Sequence, residues 1–258
     1  MSAVLPPSAL ARGLGLARQP GAAVLRLQEA GVSFGTLQAL RDISLSIQPG
    51  EAVALVGANG SGKSTLLRVL HGLLRPSTGQ LEQGSQARQA MLFQRPFMLR
   101  TSAQNNVALA LWLRGVPWRA AKVQALSALQ RVGLADKAAQ VARTLSGGQQ
   151  QRMALARAWA LQPDVLLLDE PTASLDPHAK REVEELIAEF AAGQGRAHPV
   201  TLVFASHNLG QVKRLATRVI YLELGCIQAD LPVEEFFDPQ RLQAVSPSAQ
   251  LFVKGELA

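Results

Sequence analysis

The sequence predicts an α/β protein with a mostly parallel sheet and an inserted helical lobe. Short apolar runs alternate with amphipathic stretches, as in sheets whose strands are connected by crossover helices. The predicted strands are Ala52–Val56, Ala90–Phe93, Val165–Leu168 and Thr201–Ala205. The predicted helices are Ser64–Leu74, Ala103–Leu113, Trp118–Val132, Gly148–Leu161 and Ala179–Ala192. Because residues 95–163 carry helical patterns and no clear strand, this segment is predicted to form the lobe.

The composition indicates a folded protein and limits the kinds of site. The 258 residues are 48% hydrophobic and 17% charged, which is enough apolar material for a core. The single cysteine, Cys226, excludes an internal disulfide and a zinc site built from cysteines. Residues 1–24 are predicted to be a flexible extension, because Arg12 and Gly13 interrupt the apolar run that a secretory signal needs.

The net charge of +7 is concentrated in one part of the chain. Residues 84–135 contain seven Lys or Arg and no Asp or Glu. Such a segment can bind nucleic acid or an anionic membrane surface. Trp112 and Trp118 fall within it, but their helical neighbours are aliphatic, so we expect both to pack in the core rather than stack on bases.

The strongest local motif is a glycine-rich loop between a predicted strand and a predicted helix. It comprises Gly57, Ala58, Asn59, Gly60, Ser61, Gly62, Lys63, Ser64 and Thr65 and fits G-x-x-x-x-G-K-[ST]. Glycines let the backbone N–H groups wrap a phosphate at a helix N-terminus. Lys63 can reach the β- and γ-phosphates, and the Ser64 hydroxyl can ligate Mg²⁺. The loop therefore predicts nucleotide binding, in preference to a glycine-rich turn that happens to contain lysine.

Polar side chains follow the other predicted strands. Asp169 and Glu170 end Val165–Leu168, Gln94 follows Ala90–Phe93, and His207 follows Thr201–Ala205. Ligands bind at the carboxyl ends of strands in open parallel sheets, so we expect these groups to serve the nucleotide. Asp169 is a candidate Mg²⁺ ligand and Glu170 a candidate general base. The alternatives are acids that only reach solvent and a structural histidine.

A second loop-to-helix motif reads Leu145-Ser146-Gly147-Gly148-Gln149. A hydroxyl, two glycines and free helix N–H groups can hold an anion, although an ordinary Ser N-cap would look similar. The string resembles the signature of ATP-binding cassette (ABC) proteins. The order of phosphate loop, Gln94, signature, Asp169-Glu170, Asp176 and His207 resembles that family over residues 25–230.

The resemblance implies a P-loop ABC-type cassette over residues 25–240, with an N-terminal antiparallel β portion and a C-terminal tail at 241–258. It implies an ATPase that uses ATP and Mg²⁺ with Lys63, Gln94, Glu170 and His207 as catalytic residues. Ser64, Gln94 and Asp169 would be the metal ligands, and Phe34 would stack on adenine. It also implies a homodimer in which Ser146, Gly147, Gly148 and Gln149 close over the partner's ATP, with Asp176 in the loop that crosses the interface.

The resemblance further implies a transporter motor at the cytoplasmic face of the inner membrane. Its partners would be an integral membrane permease, which docks on residues 94–113, and indirectly a substrate-binding protein. The sequence of Gln94–Leu113 resembles that of ATPase subunits of oxyanion importers. It resembles tungstate importers most, with phosphate and molybdate importers as alternatives. Nucleic acid is not expected as a partner. The alternative functions are a nucleic-acid-linked ABC ATPase and a small-molecule P-loop kinase.

Overall fold

A computed structural model describes residues 23–84, 87–193 and 198–255. Strands and helices alternate along much of the chain. In chain order the strands are β1 Leu25–Phe34, β2 Leu37–Ile47, β3 Ala52–Val56, β4 Thr78–Gln83, β5 Gln89–Leu92, β6 Val165–Asp169, β7 Thr201–Ala205, β8 Arg218–Glu223 and β9 Cys226–Pro232. The helices are α1 Lys63–His71, α2 Ala103–Trp112, α3 Trp118–Arg131, α4 Gly147–Ala160, α5 Pro177–Ala191, α6 Leu209–Leu215, α7 Val233–Phe236, α8 Pro239–Val245 and α9 Pro247–Lys254.

The four predicted strands and five predicted helices are all present. The bounds of β3 and β7 are those predicted; β5 is shifted by one residue at both ends, and β6 is one residue longer than predicted. Helix α1 ends at His71 instead of Leu74, because Gly72 adopts a left-handed conformation with φ of 81° and closes the helix. The predicted extension at residues 1–24 lies outside the described residues except for its last two.

The chain divides into two units. The first, which we call the terminal unit, includes residues up to 86 and from 205 onward. Its antiparallel sheet has the order β2-β1-β4, the kind of N-terminal β portion that the resemblance implied. Strand β3 pairs in parallel with β8, and β8 pairs antiparallel with β9. All five residues of β3 are buried, as expected for a strand covered on both faces.

The end of the terminal unit contains more helix than the sequence predicted. Residues 241–258 were expected to be a C-terminal tail. Helices α8 and α9 occupy most of that tail. The ring of Phe252 on α9 lies 5.4 Å from the ring of Tyr221 on β8, so α9 packs on the sheet.

An arginine at the start of β8 ties three strands of the terminal unit together. Arg218 pairs with Asp230 of β9 and with Glu51 before β3, and its Nη1 donates to the Ser46 carbonyl of β2 at 2.9 Å. The bonds to Asp230 raise the pKa of Arg218 above its ordinary value. The guanidinium therefore stays charged and acts as a fixed cross-link.

The second unit, which we call the central unit, comprises residues 87–204. Strands β5 and β6 pair in parallel, with Gln89 opposite Val165, and β7 lies beside β6. Within residues 95–163 the structure contains α2, α3, α4 and short 3₁₀ turns, and the only β pairing is an isolated bridge between Ser102 and Val141. Helix α4 packs on α5, where the Trp159 and Phe190 rings meet edge to face at 4.0 Å.

The expectation that Trp112 and Trp118 pack in the core is wrong. Trp112 is 51% exposed and Trp118 is 40% exposed. Trp112 is the last residue of α2 and Trp118 the first of α3, so both lie where the helices leave the core. Among the described ranges, no helix combines the length and hydrophobicity that crossing a bilayer requires.

Candidate nucleotide-binding site

The phosphate loop of the terminal unit surrounds the side chain of its own lysine. Lys63 is only 6% exposed, and its Nζ donates to the carbonyl oxygens of Gly57 at 2.7 Å and Ala58 at 2.8 Å. The ammonium group is therefore held inside the curve of the loop, at the first residue of α1. A helix N-terminus and a fixed positive charge together favour a phosphate group at this position.

Two positions of the loop require glycine. Gly57 has φ of 145°, and a Cβ there would lie 2.1 Å from the Leu222 carbonyl oxygen. Gly62, at the N-cap of α1, has φ of 107°, and its Cβ would lie 2.9 Å from the Ala39 carbonyl oxygen. The carbonyl oxygens of Leu222 and Ala39 on neighbouring strands thus lie directly against the loop. A side chain at position 57 or 62 would therefore displace the loop backbone.

The polar end of β7 is built by a buried hydroxyl. Ser206 is 3% exposed; its Oγ donates to Gln211 Oε1 at 2.7 Å and accepts from the Asn208 N–H at 3.0 Å. Asn208 in turn caps α6 by accepting from the Gln211 N–H at 2.9 Å. These bonds fix the turn that presents His207, whose side chain is exposed. Sequence reasoning assigned no role to Ser206 or Gln211; a Ser-x-Asn turn before a helix was the available signal.

Phe34, the predicted adenine-stacking residue, is the last residue of β1. Its side chain is 51% exposed, so it is not the core aromatic that a strand-end phenylalanine usually is. An exposed ring at the end of a strand is free to stack on a planar group.

The central unit brings Gln94 and Glu170 together. Gln94 Nε2 donates to Glu170 Oε2 at 3.3 Å, joining the residues that follow β5 and β6. Glu170 has φ of 45°, a left-handed conformation that is uncommon for a residue with a side chain. Such strain concentrates at functional sites. Asp169, the last residue of β6, is 5% exposed.

The predicted metal ligands suit Mg²⁺ by their chemistry. Ser64, Gln94 and Asp169 offer hydroxyl, amide and carboxylate oxygens, and Mg²⁺ prefers oxygen ligands. Mg²⁺ commonly binds through one or two protein groups plus substrate phosphates. The described residues contain no cluster of three or more His, Cys, Asp or Glu side chains that would hold a metal unaided.

The signature motif forms the first turn of α4. Ser146 is its N-cap: Ser146 Oγ accepts from the Gln149 N–H at 3.3 Å, while Gln149 Oε1 accepts from the Ser146 N–H at 3.0 Å. This capping box is the structural alternative that the sequence left open, and it is present. Gly147 is exposed, whereas Gly148 faces α5, where a Cβ would lie 2.7 Å from Ala179 Cβ. The glycine at 148 is thus required by the packing of two helices.

Asp176 caps helix α5. Its Oδ1 accepts from the N–H groups of Ala179 and His178, both at 3.0 Å. The hydrogen bond from Ala179, reinforced by that from His178, holds the pKa of Asp176 below its usual value. The carboxylate is exposed and stays ionised at neutral pH.

The segment after Gln94 is held by three side chains that sequence reasoning did not single out. Asn106 is 2% exposed; its Oδ1 accepts from the Leu99 N–H at 2.9 Å, and its Nδ2 donates to the carbonyls of Leu99, Thr101 and Ser102. Arg143 Nε donates to the Met98 carbonyl at 2.9 Å, and Arg157 Nη1 to the Phe97 carbonyl at 3.1 Å.

This anchored backbone buries Met98 to 5% exposure and leaves Phe97 66% exposed. Met98 is therefore a core residue, whereas Phe97 is exposed, as a residue of the expected docking segment would be.

Comparison with known proteins gives consistent results. Residues 40–173 match the family model described as ABC transporter. The phosphonates import ATP-binding protein PhnC of Stutzerimonas stutzeri is 42% identical over 238 residues, which cover 81% of this chain and 85% of the relative. The aliphatic sulfonates import ATP-binding protein SsuB of Pseudomonas fluorescens (strain Pf0-1) is 43% identical over 241 residues, covering 91% and 82%.

Solved structures share the fold. The ATP-binding cassette MJ0796, a dimer in a post-hydrolysis state bound to ADP and phosphate, superposes with a TM-score of 0.71 at 27% identity, covering 81% of this chain and 98% of that one. The cbiO1 protein of Clostridium perfringens, part of the transporter complex cbiONQ, gives 0.74 at 25% identity, covering 91% and 100%. The predicted fold class is confirmed.

Proposed function

Because the chain belongs to the ABC transporter family, whose ATP-binding cassettes are ATPases, we propose that it is the ATP-hydrolysing subunit of an oxyanion importer. The observation that carries the proposal is the phosphate loop, with Lys63 buried in its curve and glycine required at positions 57 and 62. The relatives named as import ATP-binding proteins support the direction of transport.

In the proposed reaction, water attacks the γ-phosphorus of ATP in line with the bond to the β-phosphate oxygen. That bond breaks, and ADP leaves with the electron pair. Glu170 accepts the proton of the attacking water, and Gln94, hydrogen-bonded to Glu170, orients that carboxylate. Lys63 and His207 bind the phosphate oxygens as charge develops on them. When bound, Mg²⁺ neutralises phosphate charge, and Ser64, Asp169 and Gln94 are its proposed ligands.

The proposed active form is a homodimer. The chain has one phosphate loop and one signature, so a symmetric pair supplies two of each. The first turn of α4, capped by Ser146 and Gln149, would present N–H groups to ATP on the partner, and Asp176 would lie at the interface. The dimeric cassette among the structural neighbours supports this arrangement.

A membrane permease is the proposed partner, and residues 94–113 its docking surface. Exposed apolar side chains occur along this stretch, with Phe97 66%, Trp112 51% and Leu113 70% exposed. Asn106 and the two arginines, Arg143 and Arg157, hold the backbone of residues 97–99 within this surface. Through this contact the subunit would lie at the cytoplasmic face of the inner membrane, with a substrate-binding protein as an indirect partner.

The proposed cargo is an oxyanion. Phosphonates and aliphatic sulfonates, named in the relatives, carry tetrahedral oxyanion groups, as tungstate does. Tungstate is the narrower prediction from the sequence, and no relative described above carries its name. Uptake of labelled methylphosphonate, ethanesulfonate and tungstate in a strain lacking this gene would identify the cargo. Wild-type protein should restore the uptake of one of them, and Glu170→Gln should not.

A nucleic-acid-linked ATPase is the second candidate. It is favoured by the exposure of Trp112 and Trp118 within a stretch that has no carboxylate from residue 83 to 135. Basic residues with exposed aromatics can bind single strands. Salt-sensitive binding of a 30-nucleotide DNA or RNA, together with stimulation of ATP turnover, would favour this function. The absence of both effects would exclude it.

A further inference from the structure

A pocket of about 840 Å³ lies within the central unit, and none of the residues assigned to ATP lines it. Its volume is typical of sites for small organic ligands. Five residues of α3 line it. Gln124, Ser127, Ala128 and Arg131 follow the i, i+3, i+4, i+7 spacing of a single helix face, and Gln130 lies next to Arg131. The turn after α2 and the C-terminal end of α4 complete the wall with Arg114 and Trp159.

The pocket is at the opposite end of the strands from Gln94 and Glu170. Arg88 comes immediately before β5 and Gln162 shortly before β6, and both line the pocket. Gln94 and Glu170 follow the carboxyl ends of the same two strands. A five-residue strand such as β6 spans roughly 16 Å at about 3.3 Å per residue. One small ligand in the pocket therefore does not contact the catalytic groups of this unit.

The charge of the pocket is positive. Arg88, Arg114 and Arg131 line it, and no carboxylate does so among the residues that the structure describes. Asp164 accepts from the Arg88 backbone N–H at 2.9 Å and lies 3.4 Å from Arg88 Nε, which offsets one of the three charges. Neutral polar groups of Gln124, Ser127 and Gln162 add hydrogen-bonding capacity.

Two of the arginines are placed differently by the fold. The guanidinium carbon of Arg131 lies 4.0 Å from the centre of the Trp159 ring, so a cation–π contact holds this group in place. Arg114 is exposed and is carried by a tight turn, in which Gly115 has φ of 88°. A pre-oriented guanidinium beside an adaptable one suits a ligand with two anionic groups, since guanidinium pairs with phosphate oxygens through two parallel N–H bonds.

We propose that this pocket binds a molecule that carries two phosphate groups on a carbon skeleton. The volume exceeds that of a phosphate ion, and Leu111 and Leu161 in the wall provide contacts for the skeleton. The chemistry is shared by a soluble bisphosphate ester and by the headgroup of a lipid with two phosphates. This site goes beyond the proposed transport function and does not depend on it.

Calorimetric titration with fructose 1,6-bisphosphate, at low salt and with ADP in excess to occupy the phosphate loop, tests the soluble source. Co-sedimentation with phosphatidylcholine vesicles that contain cardiolipin tests the lipid source. Arg114→Gln and Arg131→Gln should each weaken binding about tenfold or more, since each removes charged hydrogen bonds. Arg119→Gln is the matched control, because Arg119 is an exposed arginine of α3 that does not line the pocket.

Loss of bisphosphate binding in the two pocket variants, with Arg119→Gln unchanged, would support a soluble ligand. The same pattern with vesicles alone would support the lipid headgroup. The proposal is overturned if neither probe binds, or if Arg119→Gln weakens binding as much as Arg114→Gln. Thermal unfolding of Arg114→Gln within about 2 °C of wild type would show that the variant is folded, as expected for an exposed side chain.

Discussion

Replacing Gly148 with alanine separates packing from function in the signature motif. The new methyl group would lie 2.7 Å from Ala179 Cβ, across the contact of α4 with α5. Carbon atoms in contact prefer about 3.5–4.0 Å, so the two helices must separate by about 1 Å. The strain arises between secondary-structure elements, because Gly148 itself has no left-handed φ.

The magnitude follows from two opposing effects. Overpacking of this kind costs about 1–3 kcal/mol, whereas alanine gains up to about 1 kcal/mol over glycine within a helix. Gly148 is in the first turn of α4, where that gain is smaller. We therefore expect Gly148→Ala to lower the free energy of unfolding by about 1–2 kcal/mol, which lowers Tm by about 2–8 °C for a chain of this length.

A second substitution tests the cause. In Gly148→Ala/Ala179→Gly the methyl group has room, so the free energy of unfolding, measured by urea titration, should return to within about 1 kcal/mol of wild type. Because the signature is proposed to lie close to the partner's nucleotide, ATP turnover should be low in Gly148→Ala and equally low in the double variant. If Gly148→Ala is as stable as wild type, or more stable, the packing argument is refuted.

Substitutions at three further positions test other parts of the fold. Asn106→Leu leaves the part-buried Leu99 N–H without its acceptor, so it should lower the free energy of unfolding by about 1–3 kcal/mol in urea titration; a loss below about 0.5 kcal/mol would contradict the anchoring role. Asp176→Asn keeps an α5 cap and Asp176→Ala removes it, so only the alanine variant should lose helix stability at pH 7. Because the folded pKa of Asp176 is lowered, its contribution is fully present above the ordinary aspartate pKa and is lost as pH falls through the folded value; the asparagine variant should lack this dependence, and an identical acid-unfolding profile would contradict the assignment. Arg218→Met should cost about 2 kcal/mol, because Asp230 and Glu51 lose a partner; unchanged thermal unfolding would show that the cross-link does not stabilise the unit.

The sequence predicted where the polar residues of the candidate site lie along the strands and loops. It did not predict their backbone conformations or the contacts that surround them. Glycine spacing, the buried strand before Asp169 and the Ser146 turn are local features, and each appears where it was expected. The φ of 45° at Glu170 has no signal in the local sequence. The need for glycine at position 148 comes from Ala179, which is distant in sequence.

The exposed tryptophans show a limit of helical periodicity. Aliphatic neighbours predict a buried face in the middle of a helix, but Trp112 ends α2 and Trp118 begins α3. At a helix end the buried face depends on where the chain goes next. The role of Asn106 was missed for a related reason, because its partners at 99–102 are loop backbone atoms whose path the sequence does not specify.

The docking surface can be tested apart from hydrolysis. Phe97→Asp should leave the basal ATP turnover of the purified subunit unchanged while abolishing uptake in the complemented strain, since Phe97 is exposed and far in sequence from the phosphate loop. Val123→Asp is the matched control, because Val123 is an exposed apolar residue of the same unit at 71% exposure. Equal uptake by both variants would contradict docking through Phe97.

The rate of ATP hydrolysis by Glu170→Gln tests the central claim most directly. Phosphate release by the purified protein with Mg²⁺ and ATP should fall by about 10²–10⁴-fold, because the amide cannot accept the proton of the attacking water. Equilibrium binding of ATP should persist, and Glu185→Gln, an exposed glutamate of α5, should hydrolyse at the wild-type rate. A Glu170→Gln variant that releases phosphate as fast as wild type would contradict the assignment of Glu170 as general base.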